Sequence, residues 1–153
     1  MAVRTSSIRE TAPEFIATAT LTIETAGEGF VEITSEIARF VADIGASEGA
    51  LFAHIRHTSA SLTIQENADP DVRTDLVAAL RRLAPSDAGW VHDTEGPDDM
   101  PAHVKAMLNG SSLHIPVIAG ALALGTWQGV YVAEHRARAH RREVVIQFIG
   151  SRR

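Results

Sequence analysis

The twelve residues from 92 to 103 hold the densest group of titratable side chains in the sequence. They read HDTEGPDDMPAH, with a histidine at each end and four carboxylates between them. Imidazole and carboxylate groups are the ligands that zinc, manganese and magnesium take from proteins. The segment predicts His92 and His103 as metal ligands, with donation to a phosphate as the alternative for His103 at a helix start, and Glu95 is a candidate catalytic carboxylate. An acidic surface loop that leads into a proline-started helix is the alternative.

A second polar group lies where one predicted strand (49–57) bends into the next (60–66). His54 and His57 are an odd number of residues apart, so their side chains point to opposite faces of a strand and only one can join a given site. We expect His57 to be the third metal ligand, with the hydroxyls of Thr58 and Ser59 beside it to bind substrate. A satisfied structural histidine is the alternative.

Glu66 ends the second of these strands and has no evident structural duty. Asp69 is a plausible N-cap and Pro70 suits the first position of the helix that follows, so the helix start is already explained. We therefore interpret Glu66 as a candidate catalytic carboxylate, with simple solvent exposure as the other reading.

The segment LGTWQGVYVAEHR offers a different kind of chemistry. Trp127 between glycines is either a packed corner or a wall on which a flat ring stacks, and Gln128 could bind the edge of such a ring. Glu134 and Arg136 fall on one face of a strand, where they either converge on a pocket or pair with each other. A guanidinium offers paired donors to phosphate. Glu134 is thus a further catalytic candidate, and the other three are candidate substrate-binding residues.

Composition narrows the chemistry and the partners. The 153 residues include seven histidines and nineteen carboxylates but no cysteine, which excludes disulfides, thiolate catalysis and cysteine metal sites. The net charge of −5 argues against a nucleic-acid partner. The start of the chain lacks the apolar run of a secretory signal, and glycines and one proline divide the stretch 106–133, which has no Asp, Glu, Lys or Arg. We therefore expect a cytoplasmic protein with no membrane partner.

The elements that must position these residues alternate along the chain. Strand patterns cover 15–24, 49–57, 60–66 and four segments after residue 112, the last two joined across an arginine-rich hairpin; helix patterns cover 33–44, 69–83 and 101–108. This predicts an α+β fold with helices packed on a mixed or antiparallel sheet. No linker or repeat divides residues 1–153, so we expect a single domain, with 1–13 as a flexible or edge segment.

Three motifs, in this order, closely resemble the YjbQ-type family, described as having a secondary thiamine-phosphate synthase activity: HTSASLTIQENADPDV, HDTEGPDDMPAH and LALGTWQGVYVAEHR. The resemblance implies a compact α+β domain of β-β-α-β-β-α-β-β order, assembled as a homotrimer. It matches the following positions to the family pattern: His57, Glu66, His92, Glu95, His103, Trp127, Gln128, Glu134 and Arg136.

The implied activity joins a pyrimidine pyrophosphate to a thiazole phosphate and expels pyrophosphate. It needs a divalent metal, here zinc, magnesium or manganese, and cationic donors for the leaving group. Two other hypotheses stay open. One is a metal-dependent hydrolase of a small phosphorylated or heterocyclic metabolite, with Glu66 or Glu95 as base. The other is a trimeric metabolite-binding protein that does no chemistry.

Overall fold

The computed structural model describes residues 1–153. Residues 1–14 are exposed and contain no helix or strand. Eight strands and three helices follow in this order: β1 (Phe15–Glu24), β2 (Gly29–Glu32), α1 (Thr34–Asp43), β3 (Ala46–Ile55), β4 (Ala60–Glu66), α2 (Pro70–Leu83), α3 (Asp99–Asn109), β5 (Ser112–Ile118), β6 (Ala121–Leu122), β7 (Gln128–Glu134) and β8 (Arg141–Arg152). No helix has the length and apolar character needed to span a bilayer.

The strands form two sheets rather than one. A large sheet has the order β1-β8-β3-β5-β6, and a small sheet has the order β2-β7-β4. Every pairing in both sheets is antiparallel. The predicted α+β class is therefore confirmed, and of the two sheet types considered the antiparallel one is present.

Two details of the expected topology are wrong. The implied order has one helix and two strands after the fourth strand, whereas the chain has two helices and four strands there. The expected hairpin between β7 and β8 does not form, because the two strands belong to different sheets. Each is already flanked on both sides, β7 by β2 and β4 and β8 by β1 and β3, so neither has an edge left to offer the other.

A single hydrophobic core lies between the sheets. Alternate residues of β8, among them Val144, Ile146 and Phe148, point inward and are fully buried. The same cluster includes Ile37 and Val41 of α1, which lie one helical turn apart on its inward face. Helix α3 packs on β4 and α2 packs against β2, while no helix covers the outer face of the large sheet.

The chain passes between the two sheets three times at one end of the core. These passages are residues 25–28, 56–59 and 135–140, and we call this region the crossing end. The strand register brings them together, since Glu134 pairs with both Gly29 and Ala60. The backbone N–H and C=O groups of each passage are not hydrogen-bonded within a sheet and need other partners. Polar side chains therefore gather at the crossing end.

Candidate metal centre

A buried carboxylate at the crossing end holds two histidines. Asp99 and His103 lie four residues apart on α3, which places both side chains on one face of the helix. His92 reaches the same point from the loop before α3. The Oδ2 atom of Asp99, whose residue is only 2% exposed, lies 2.8 Å from His92 Nε2 and 3.2 Å from His103 Nε2. The three candidate ligand atoms all lie within 4.8 Å of one another.

The ring of His103 is oriented as a metal ligand would be. Its Nδ1 lies 2.8 Å from the carbonyl oxygen of Thr58, so Nδ1 carries the proton that it donates there. In the neutral ring, Nε2 then directs a lone pair at the carboxylate of Asp99, an arrangement that a cation between the two would relieve. Ligands on a zinc-sized ion lie about 2.9–3.4 Å apart, from bonds of about 2.0–2.1 Å, and the observed separations are close to this range.

Arg136 holds the other oxygen of Asp99. Its Nη1 donates to Asp99 Oδ1, its Nε donates to Asp98 Oδ2 at 3.0 Å, and its Nη2 donates to the carbonyl oxygen of Glu95 at 2.9 Å. Burial alone raises the pKa of Asp99, but the hydrogen bond with His92 and the charge of Arg136 bring that pKa below its usual value. Asp99 is therefore an ionised and oriented carboxylate, as a ligand must be.

The three predicted metal ligands do not all meet. His92 and His103 converge, but the third member of the cluster is Asp99 and not His57. His57 Nε2 instead accepts a hydrogen bond from the backbone N–H of Glu143 at 2.9 Å. Burial, followed by the charge of Arg142, lowers the pKa of His57. The ring is therefore neutral at pH 7, with its proton on Nδ1.

His57, Thr58 and Ser59 do line a groove beside the cluster. A cavity of about 360 Å³ lies against His57, Thr58 and His103. An adjoining one of about 480 Å³ shares His57 and Thr58 and adds Ser59 and two arginines, Arg56 and Arg142. The groove thus offers several hydrogen-bond donors next to the candidate metal ligands.

Glu134 lies at the crossing end but is fully engaged. It accepts hydrogen bonds from Arg142 Nε and Nη2 at 2.7 and 2.6 Å, from Thr25 Oγ1 at 2.8 Å and from the backbone N–H of Arg136 at 2.9 Å. Burial raises its pKa, while the bonds from Arg142 and Arg136 outweigh this and lower it. The side chain of Glu134 is 0% exposed, so it links the three passages at the crossing end and does not face the groove. The side chains of Glu134 and Arg136 do not pair with each other.

Three other predicted residues lie at the opposite end of the small sheet. Glu66 pairs in register with Gln128, six positions along the ladder from the pairing of Ala60 with Glu134. Six residues of strand span about 20 Å, so Glu66, Trp127 and Gln128 do not reach the cluster within one chain.

The side chains at this far end have local roles. Glu66 accepts the backbone N–H groups of Ala68 and Asp69 at 3.0 and 3.1 Å, so the expectation that it has no capping duty is wrong. Gln128 Oε1 accepts the N–H of Gly125, and Trp127 is 63% exposed. Glu95 contacts the site only through its carbonyl oxygen; its side chain is not in the cluster.

Asp99 is the member of the cluster that sequence reasoning misses. The sequence pattern gives this helix as 101–108, which leaves Asp99 before its first turn and His103 within that turn. Because α3 begins at Asp99, His103 lies in the second turn, one full turn after the carboxylate. The spacing D-x-x-x-H within a helix is the available signal, since residues four apart share a face.

A family model described as UPF0047 protein YjbQ-like matches residues 19–151. The chain belongs to the YjbQ/UPF0047 family. It is 49% identical to UPF0047 protein sll1880 of Synechocystis sp. over 131 residues, covering 85% of this chain and 89% of the relative. It is 41% identical to UPF0047 protein YjbQ of Escherichia coli O157:H7, covering 86% of this chain and 96% of the relative. The resemblance of the three motifs is confirmed.

Solved structures of the YjbQ/UPF0047 family share the fold. A family member from Clostridium acetobutylicum superposes with a TM-score of 0.79 at 36% identity, covering 85% of this chain and 98% of that one. The conserved hypothetical protein TT1486 from Thermus thermophilus gives 0.74 at 36% identity, covering 84% and 97%. These two solved structures therefore share the overall fold of this chain.

Proposed function

We propose that this YjbQ/UPF0047 protein is a divalent-metal-dependent enzyme that acts on a small phosphorylated substrate at the crossing end. One observation carries the proposal. His103 gives its Nδ1 proton to the carbonyl of Thr58 and turns Nε2 toward the ionised Asp99, with His92 beside them. Two imidazoles and a carboxylate leave coordination positions open on an ion, as catalytic sites do.

The donor set favours some metals over others. Two imidazoles with one carboxylate suit zinc best, whereas manganese and magnesium favour oxygen ligands and magnesium also keeps its waters. A bound ion would supply Lewis-acid stabilisation of a phosphoryl oxygen.

The side chains of the groove would bind the rest of the substrate. Neutral His57 presents Nδ1–H, and Thr58 and Ser59 carry hydroxyls at the same wall. Arg56 is 61% exposed at the side chain and lies in a weak surface pair with Glu143, so it is free to reorient toward a phosphate. Arg136 acts as a positioning residue, because its contacts are with Asp98 and Asp99 rather than with the groove.

Thiamine-phosphate synthase-like transfer is the named reaction that we propose first. The thiazole nitrogen forms a bond to the methylene carbon of the pyrimidine, the carbon–oxygen bond to pyrophosphate breaks, and pyrophosphate leaves with that electron pair. Support for this reaction comes from the family resemblance and from the donors that line the groove. Trp127, the proposed wall for the pyrimidine, does not line this groove within one chain.

Hydrolysis is the second candidate, and the position of Trp127 favours it. A hydrolase needs no wall for a second ring, and three protein ligands leave room for a reactive water. Water would add to phosphorus, and an alcohol or phosphate would leave. The two reactions are separable because transfer consumes two substrates and hydrolysis consumes one.

Metal analysis tests the site itself. We expect one equivalent of zinc or manganese per chain in the purified protein and loss of that metal in Asp99→Asn and His103→Ala. His114→Ala is the matched control, because this histidine lies on the outer face of the large sheet and packs against Phe52. Full metal content in Asp99→Asn would overturn the assignment.

Product analysis tests the reaction. The metal-loaded protein is incubated with the pyrimidine pyrophosphate and the thiazole phosphate, separately and together. Thiamine phosphate formed only from both, and lost in Asp99→Asn, supports transfer. Inorganic phosphate released from either one alone supports hydrolysis. Saturable binding with no product from any of these incubations would contradict both transfer and hydrolysis and leave the metabolite-binding alternative.

We also propose the homotrimer that the resemblance implies, through the uncovered outer face of the large sheet. Ile16 pairs in register with Ile149 there, and Phe52 and Ile118 lie on the same face; all four are at least 36% exposed. Exposed apolar patches of this kind mark contact surfaces. Light scattering should give a molar mass three times the 16.4 kDa of one chain, and the double variant Ile16→Glu/Ile149→Glu should have the mass of a single chain. A monomeric wild type would refute the proposed trimer.

The cytoplasmic location and the absence of a nucleic-acid partner stay predictions.

A further inference from the structure

A second cavity lies on the other side of α3 from the metal cluster. It has a volume of about 360 Å³, opens to solvent and is lined by the β1–β2 turn, the end of α2, the start of α3 and the residues just after β7. Asp99 and His103 occupy one face of α3, whereas Pro101 and Lys105 occupy another, and only the second pair lines this cavity. A space of this size holds a small metabolite and not merely one water.

The cavity wall contains the only lysine of the chain. Lys105 is 4% exposed, and its Nζ donates to Glu28 Oε1 at 2.5 Å. An ammonium has three N–H donors, and the protein supplies an acceptor for only this one. Leaving donors of a buried charge without acceptors is costly, so the remaining ones call for a partner in the cavity.

His135 presents another donor to the same space. The residue is 3% exposed, and its Nε2 lies 2.8 Å from Ser61 Oγ. Because Ser61 Oγ already accepts from Asn109 Nδ2 at 3.1 Å, its own proton is available to His135 Nε2. Burial, and then the charge of Lys105, lower the pKa of His135 to about 4. The ring is therefore neutral at pH 7, and in the tautomer in which Ser61 donates to Nε2 the proton lies on Nδ1, for which the chain supplies no acceptor.

Two cations of the cavity wall share one carboxylate. Arg81 Nε donates to Glu28 Oε2 at 2.7 Å, so one carboxylate lies between two cations, Arg81 and Lys105. Asp98, also in the wall, accepts a hydrogen bond from Arg136 Nε at 3.0 Å, and Arg136 itself lies outside the cavity. Asp87 is exposed at the rim. The terminal nitrogens of Arg81 make no hydrogen bond within the chain and remain free to donate.

We propose that this cavity binds a small oxyanion, a phosphate or carboxylate group, held by Lys105, Arg81 and His135. Glu28 would orient the two cations without cancelling both. The oxygens of such a ligand accept several hydrogen bonds at once, which matches a wall rich in unused donors. The site is separate from the candidate metal centre and does not depend on the proposed reaction.

Calorimetric titration with inorganic phosphate, and in parallel with acetate, tests the site in the full-length protein at pH 7. Metal is removed with a chelator beforehand, so that the metal centre does not contribute. We expect saturable binding in the millimolar range and a shift of the His135 ring nitrogen resonances. Arg81→Gln should weaken binding about tenfold. Arg82→Gln, an exposed neighbour on α2 outside the cavity, should bind as wild type does.

The outcomes separate cleanly. Saturation by acetate but not phosphate supports the site and identifies a carboxylate as the ligand. Lys105→Met should abolish binding; if that variant does not fold, Arg81→Gln carries the test, because the Arg81 side chain is 64% exposed. The proposal is overturned if neither anion saturates or if Arg81→Gln binds normally. If His103→Ala loses anion binding while Arg81→Gln binds normally, the anion binds in the groove instead. That result would also overturn the proposal.

Discussion

The two ends of the small sheet carry the same kinds of residue but use them differently. At the crossing end, Glu134 and Arg142 are buried and joined by two hydrogen bonds, and Asp99 is held by Arg136. At the far end, Glu66 caps a turn and Trp127 lies open to solvent. Motif residues at both ends match the family, yet only the crossing end brings two histidines to a buried carboxylate.

The reason for this difference lies in the connections. The crossing end has three passages between the sheets, whose polar groups must be satisfied within the protein, and buried charges there are paired and oriented. The far end has one direct passage between the sheets, residues 123–127 before β7, together with the start of α2, and there solvent and local caps suffice. Enclosed charges that are fixed in place are what a metal or phosphate site requires.

If buried charge holds the crossings together, Glu134→Gln should give the largest effect. The change leaves the guanidinium of Arg142, with its side chain 4% exposed, without its counter-charge. Breaking one partner of a buried pair costs about 3–5 kcal/mol of unfolding free energy. Urea denaturation measures this.

Glu143→Gln is the matched control for that measurement. Glu143 pairs with Arg56 at the surface, where the two side chains are 41% and 61% exposed, so its loss should cost less than about 1 kcal/mol. Equal losses for the two variants would contradict the comparison between buried and exposed carboxylates.

Arg136→Lys should weaken metal binding about 10- to 100-fold, as the loss of a group that orients a ligand does. A lysine cannot reach Asp98, Asp99 and the carbonyl of Glu95 together, as the guanidinium of Arg136 does. Competition with a chromogenic chelator gives the affinity. Arg138→Lys, at an exposed position two residues on, serves as the control. Unchanged affinity in Arg136→Lys would show that Asp99 needs no orienting partner.

The pH dependence of stability should report on His135. Burial lowers its folded pKa to about 4 from 6.5, so as the pH falls the unfolded chain takes up a proton before the folded protein does. The stabilisation is complete above pH 6.5 and is lost toward pH 4, amounting to roughly 2 kcal/mol between pH 7 and 4.5. The carboxylates with lowered pKa values act below this window, whereas His57, whose pKa is also lowered, adds an effect of the same sign within it that the variant below retains. His135→Gln should flatten the curve there; a wild-type curve as flat as the variant's would exclude burial as the cause.

Sequence patterns predict the elements but not how they meet. The 3.6-residue spacing of apolar positions locates α1, and the Asp69–Pro70 start of α2 is confirmed by the bond from Asp71 N–H to Asp69 Oδ1. The division into two sheets is not predicted, because apolar β7 and β8 look alike whether they pair with each other or with different partners. Local patterns carry no information on such long-range pairing.

The candidate site shows the same limit. His92 and His103 are identifiable because they lie in one short, unusually polar segment. Residue type alone groups His57 with them, but the register of β3 with β8 brings it to the backbone of Glu143 instead. Glu134 is visible as a carboxylate, whereas its partner Arg142 is on the other sheet and only the fold could join them.

The far end provides the smallest effect and a sharp test of the comparison. Glu66→Ala removes an acceptor for two backbone N–H groups and should cost about 1 kcal/mol, whereas Glu66→Gln keeps an acceptor and should cost less. Trp127→Ala should change stability by no more than about 0.5 kcal/mol, because the side chain is largely exposed. Neither Glu66→Gln nor Trp127→Ala should alter turnover if the crossing end acts alone. Within one chain about 20 Å of strand separates the two ends, at the usual rise of about 3.3 Å per residue. If both variants lose turnover while the fold and the metal stay intact, the far end of a neighbouring subunit must complete the site.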